Sequence, residues 1–90
     1  MPRKEPVTVR EYSYLALFRP EPEGGYTVTC PALPGLVTYG ETLTEARAMA
    51  AEAVEAYLES LQKDGEAFPD SDLTDPQPFT EPVRVKLERA

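Results

Sequence analysis

The chain contains no histidine, no tryptophan, no asparagine and no isoleucine, and only one cysteine, Cys30. Without histidine, the usual general base near neutral pH and the commonest zinc ligand are both missing. A lone cysteine forms no internal disulfide, and with no histidine beside it there is no structural zinc site. The cytoplasm, a reducing compartment, is where such cysteine usage fits. No apolar run approaches the ~20 residues of a membrane span. The start, Met1-Pro2-Arg3-Lys4-Glu5, has charge but no apolar stretch behind it, so neither a membrane segment nor a secretory leader is expected. Six Arg against three Lys, with 10 Pro, is the usage of a GC-rich genome. The absence of asparagine together with abundant loop proline also suits a thermophile.

Positive charge is scarce as well. Nine bases stand against 16 acids, a net charge of -7. Direct nucleic-acid binding is disfavoured, because phosphate contacts need a basic surface. An acidic protein meets a basic partner with help from the long-range field. The plainer alternative is that the charge keeps a small protein soluble. Ninety residues make one domain, at the small end of the usual ~100–150.

Residues 1–11 hold two prolines and mixed charge and read as a flexible N-terminal arm, extended at most over Val7 to Arg10, so the folded domain is expected over residues 12–90. Tyr12 to Phe18 is aromatic-rich and free of Gly and Pro, a buried strand. Pro20-Glu21-Pro22-Glu23-Gly24-Gly25 is a turn, and Tyr26-Thr27-Val28-Thr29-Cys30 alternates as a second strand, which completes a hairpin. Pro34-Gly35 suits the centre of a type II turn, and Leu36 to Tyr39 is a short third strand ending at Gly40. The helix follows. Thr42 is its N-cap and Glu45 completes a capping box. Its body runs from Leu43 or Thr44 to about Gln62, with Leu43, Ala46, Ala50, Ala53, Val54, Tyr57, Leu58 and Leu61 at helical spacing, and Gly65 marks the stop. Residues 64–82 form an acidic, proline-rich connection, with Phe68 and Phe79 expected to pin it to the core. Val83, Val85 and Leu87 alternate with Arg84, Lys86 and Glu88 as a final half-buried strand.

The predicted fold is therefore α+β, in the order β-β-β-α-β. An antiparallel three-stranded meander carries one long helix packed on one face, and a final strand closes it. The other face needs a cover. Tyr12, Tyr14 and Tyr26 look too apolar to stand exposed there, and self-association through that face or an edge strand is one solution.

The run Gly25-Tyr26-Thr27-Val28, Pro31-Ala32-Leu33-Pro34-Gly35, Thr38, Gly40, Thr42, Glu45-Ala46, continued to Gly65 and Pro69, resembles the HicB family of antitoxins over roughly residues 12–70. The combination of Pro-x-Leu-Pro-Gly with Thr-x-Gly-x-Thr carries the resemblance. It implies a β-β-β-α-β domain of partial ribonuclease H-like type, assembly into a dimer or tetramer, and binding to a small basic HicA-type ribonuclease that cleaves mRNA. The antitoxin would act by occluding the toxin's working surface. Family members that repress their own operon carry a C-terminal helix-turn-helix or ribbon-helix-helix. Nothing of that kind follows the last strand here, so repression by direct DNA binding is not expected.

No catalytic, cofactor or metal site is expected. A ribonuclease H-like enzyme needs carboxylates converging on divalent metal, commonly one on the first strand. Tyr12 to Phe18 offers none, and Glu41 and Glu45 flank the helix start, where capping accounts for them. Cys30 has no histidine to activate it and reads as a buried apolar thiol. Asp70, Asp72 and Asp75 lack the spacing, central glycine and closing glutamate of a calcium loop.

The candidate partner-binding residues are Glu45, Glu52, Glu55 and Glu59, a stripe on the helix opposite the apolar one, together with Leu33 or Leu36 as apolar anchors. Residues 41–81 carry 11 acids and two bases. An ordinary solvated helix face is the competing reading. Pro31, Pro34, Gly35, Gly40 and Thr42 form the structural motif, and the Pro31–Gly35 turn either re-aims the chain or presents its leucine to a partner. A stand-alone oligomeric module, binding a protein or small ligand without any toxin, is the alternative function. RNA binding through Arg84, Lys86 and Arg89 is disfavoured, since three bases work against the net charge of -7.

Overall fold

A computed structural model describes residues 2–9, 12–73 and 78–87. Four strands, β1 (Arg3–Val9), β2 (Tyr12–Pro20), β3 (Tyr26–Thr29) and β4 (Val37–Gly40), precede one helix, α1 (Leu43–Lys63). All neighbours pair antiparallel, in the order β1-β2-β3-β4. The mixed α+β class is as expected. The element order, β-β-β-β-α, is not.

The first correction is at the N-terminus. Residues 3–9, expected in a flexible arm, form β1 and pair with β2 from Arg3 opposite Phe18 to Val9 opposite Tyr12. The physical reason lies in β2. It runs nine residues, whereas β3 offers only four along its other side. The backbone groups of β2 that point away from β3 need partners along the whole strand, and β1 meets them; its Val7-Thr8-Val9 run has the β-branched character strands favour. Pro6 is tolerated because β1 is an edge strand.

The second correction is at the C-terminus. Residues 83–87, expected as a closing strand, join no sheet and are exposed throughout. With β1 on one side of β2 and β3 on the other, no interior place remains for them. Glu88 and Arg89 lie outside the described residues, as do Arg10, Glu11 and Asp75.

Sheet alternation gives β2 one buried face, Tyr14, Ala16 and Phe18, with Leu15 and Leu17 opposite. Val28 lies across from Phe18 and shares the buried face. Helix α1 covers that face through Ala46, Ala50, Val54 and Leu58, an i, i+4 row of mostly small side chains that lets the helix approach closely. The approach is close at Gly40, where a Cβ would fall inside 3 Å of the Ala46 backbone. Tyr14 and Tyr26 are thus buried and half-buried on the helix side, not candidates for the open side. The uncovered face instead presents Leu15 and Leu17 on β2, Thr27 and Thr29 on β3, and Val37 and Tyr39 on β4.

The helix ends follow their local chemistry. The Glu45 N–H donates to Thr42 Oγ1 (3.0 Å), the expected cap. The returning carboxylate of Glu45 accepts from the Glu41 N–H (3.0 Å), one residue before the cap. At the other end the Glu66 N–H donates to the Leu61 carbonyl (2.9 Å) and the Gly65 N–H to that of Gln62 (3.2 Å). This is the Schellman pattern, and Gly65 supplies its positive φ of 68°.

Candidate partner-binding surface

Of the residues singled out for partner binding, the four helix acids are where the spacing places them. Glu45, Glu52, Glu55 and Glu59 are all exposed on α1, on the side away from the sheet. Glu45 is committed to the cap, which leaves Glu52, Glu55 and Glu59 as the free part of the stripe. A 21-residue helix is a rigid rod of about 30 Å, so these carboxylates are displayed at fixed spacing.

The two leucines are elsewhere. Leu33 is 0% and Leu36 6% exposed, and both belong to the core. The loop between β3 and β4 turns them inward. The Leu33 N–H donates to the Cys30 carbonyl (3.0 Å) and the Leu36 N–H to that of Leu33 (3.2 Å), two successive tight turns. Gly35 adopts a φ of 88°, as its place in the turn requires. Tyr57 ties the loop to the helix by donating its hydroxyl proton to the Pro34 carbonyl (2.9 Å). Pro31, Pro34 and Gly35 therefore re-aim the chain and seat Leu33, and no apolar anchor is presented here.

One aspartate of the connection, Asp72, is used locally. The Leu15 N–H lies beyond the last β2–β3 pair, Leu17 with Thr29, and donates to an Asp72 carboxylate oxygen (2.8 Å). One residue earlier the Tyr14 hydroxyl donates to the Pro69 carbonyl (2.7 Å). Phe68 packs edge-on against Tyr12, with ring centroids 4.8 Å apart. Residues 68–72 thus cap the open end of β2. Phe79, expected to pin the same connection, stands exposed instead.

Cys30 is buried beside this cap. Burial, with a lesser push from the Asp72 charge, raises its thiol pKa to about 11. At neutral pH it is a protonated, apolar side chain, the opposite of an activated nucleophile.

One interaction had no sequence signal. The Arg47 guanidinium, on α1, grips Glu5 of β1 with two bonds, Nε to Oε1 (2.6 Å) and Nη2 to Oε2 (2.9 Å). The bond from Arg47 outweighs partial burial and holds the Glu5 carboxyl below its ordinary value of 4.5. The pair straps the edge strand to the helix across 42 positions of sequence, a separation no local pattern reveals.

One side of the molecule carries the acidic ridge of α1 and the other an apolar sheet face, and no helix among the described residues is long and apolar enough to cross a membrane. The profile of the HicB-like antitoxins of bacterial toxin–antitoxin systems matches residues 14–79. The chain belongs to the HicB-like antitoxin family. A UPF0150 protein of Synechocystis sp. is 40% identical over 62 residues, covering 69% of this chain and 78% of its own. A UPF0150 protein of Thermoplasma acidophilum is 43% identical over 56 residues, 62% of this chain and 81% of its own. An uncharacterized 14.9 kDa protein of Haemophilus phage HP1 is 40% identical over 47 residues, 52% of this chain but 35% of its own. The matched region begins at the buried Tyr14 and takes in the inward-turned loop, all of α1 and the Asp72 cap.

Proposed function

We infer that this HicB-like protein is the antitoxin of a type II toxin–antitoxin pair, and that it neutralises a small basic HicA-type ribonuclease by covering its RNA-binding surface. The observation that carries the reading is the family match over residues 14–79, which contain the exposed helix acids. A toxin that holds RNA must offer cations to phosphates. Glu52, Glu55 and Glu59 offer those same cations carboxylates, on a rod that loses little conformational freedom when it binds. The field of a chain with net charge -7 speeds the encounter, so association slows as salt rises. Binding alone accounts for the proposed role, and among the described residues no acid–base or nucleophile constellation calls for more. The setting is the bacterial cytoplasm, and the working form is a homo-oligomer, a dimer or tetramer.

The test is co-expression with the small basic reading frame next to this gene. Growth restored by the wild-type chain, and lost on reversal of Glu52, Glu55 and Glu59 to Lys, is the expected result. A neighbour that is not toxic, or toxicity unchanged by co-expression, leaves the stand-alone oligomeric module as the surviving function. Rescue by the charge-reversed chain as good as wild type moves the contact off the helix.

A further inference from the structure

Residues 78–87 carry the strongest unexplained feature of the molecule. Val83, Val85 and Leu87 are 83%, 73% and 86% exposed, yet they alternate with Arg84 and Lys86 as a half-buried strand does. Such a pattern has no use in water, and five residues cannot hold a strand without a ladder partner. The geometry points to exchange of this segment between two copies of the chain, in which residues 83–87 of each add as a fifth strand to the free edge of β4 in the other.

Three observations select β4 and a second copy. First, the sheet has two edges, and they differ. On β1, Pro6 lacks an N–H, and Arg3, Lys4 and Glu5 are charged, features that blunt an edge. On β4, Val37-Thr38-Tyr39-Gly40 has neither proline nor charge, and Val37 and Tyr39 are 65% and 46% exposed on the uncovered face. A strand laid beside β4 with Val83, Val85 and Leu87 on that face continues an apolar surface already begun, and turns Arg84 and Lys86 to the other side.

Second, the segment's own β4 is out of reach. Phe79 and Thr80 line an open groove of about 550 Å³ with Arg3, Lys4, Leu15 and Leu17, and so stand over β1 and β2. A strand added outside β4 lies three strand spacings from β2, about 14 Å. The three residue steps from Thr80 to Val83 span at most about 11 Å. A second sheet stacked on the open face lies about 10 Å away, within that reach.

Third, the charges are complementary. Residues 83–90 hold three bases and one acid, whereas residues 1–82 hold six bases and 15 acids, so a strand of +2 meets a body of -9. A two-fold axis makes the same pairing twice and closes the assembly, with Phe79, Leu15 and Leu17 of each copy enclosed between the sheets. The exchange makes the self-association proposed above specific, and it stands whether or not a toxin exists.

The experiment uses the full chain. Sedimentation equilibrium is expected to show a dimer, with Val85→Asp and Val37→Asp each weakening it at least tenfold while leaving the far-ultraviolet circular dichroism of the monomer unchanged. Chains carrying Val37→Cys with Val83→Cys, Val85→Cys or Leu87→Cys are then oxidised under native conditions, where buried Cys30 is unreactive. A covalent dimer from at least one pair fixes the register. A disulfide trapped at monomer mass, no trapping from any pair, a monomer at every concentration, or a dimer indifferent to both aspartates would each overturn the exchange.

Discussion

Leu33 separates an interface anchor from a core residue. Replacement by alanine removes three buried carbons, worth about 2.4 kcal/mol of transfer at ~0.8 per methylene. The residue is 0% exposed between the loop and the sheet, and the surrounding turns are fixed by hydrogen bonds from Leu33, Leu36 and Tyr57, so the site collapses little. A cavity contribution raises the total to roughly 3–5 kcal/mol, as for other fully buried leucines. A chain of 90 residues has a whole stability of about 5–13 kcal/mol, so Leu33→Ala removes a large share of it. For a domain this size each kcal/mol moves the midpoint by about 4–8 °C, which predicts a fall of about 12 °C or more. The assay is thermal and urea unfolding followed by circular dichroism, at fixed protein concentration because the proposed self-association would shift the midpoint. Urea should show a lower midpoint with an unchanged slope. A variant as stable as wild type that no longer neutralised a toxin would refute the reasoning, because Leu33 would then be acting at a surface.

Gly40→Ala places a Cβ against the Ala46 and Glu45 backbone, where no side chain can swing aside, and should cost about 1–3 kcal/mol in the same unfolding assay. For Glu5→Gln the pH dependence is the readout. Glu5 has its folded pKa lowered by Arg47, so its contribution is present above the unfolded value of 4.5 and is lost as pH falls through the folded value. The wild type should therefore exceed Glu5→Gln in stability at pH 7, and the difference should vanish in acid, as urea midpoints across pH 2–7 will show. With a folded pKa of about 11, Cys30 should resist a thiol reagent at pH 8 in the native protein and react at once in denaturant. Labelling of the native thiol at the rate of a free cysteine would contradict its burial.

What could be read from the chain depended on whether the deciding contact was local. The helix start was legible to within a residue, Leu43 or Thr44, because Thr42 and Glu45 sit three apart and satisfy donors within one turn. Gly65 likewise answers carbonyls only a few positions back. The hairpin between β2 and β3 was legible because its turn residues lie between its strands. Strand β1 was missed because its edge position permits a proline and charges, which mask the strand pattern. The leucines of the Pro31–Gly35 loop were ambiguous for a related reason. Proline and glycine announce a turn but do not say which way its apolar residue points. The closing strand was not borne out. Its alternation is real, yet alternation does not supply a ladder partner, and residues 83–87 join no sheet.

The two surfaces left over after folding lie on opposite sides of a two-layer molecule. Helix α1 covers one face of the sheet and turns its acids outward, while Leu15, Leu17, Val37 and Tyr39 remain on the other face. An occupant of the sheet face and the β4 edge does not touch Glu52, Glu55 or Glu59. Self-association and capture of a basic partner are therefore compatible on one chain, and a strand-exchanged pair would carry two acidic ridges facing outward, one per copy. Joining them in one particle raises the local concentration of the second ridge for any partner that is itself multivalent. It also separates the phenotypes. Val85→Asp should lower the oligomer and leave each ridge intact, whereas reversal of the helix acids should lower partner binding and leave the oligomer intact. A chain in which either change abolished both would mean that the two surfaces are one.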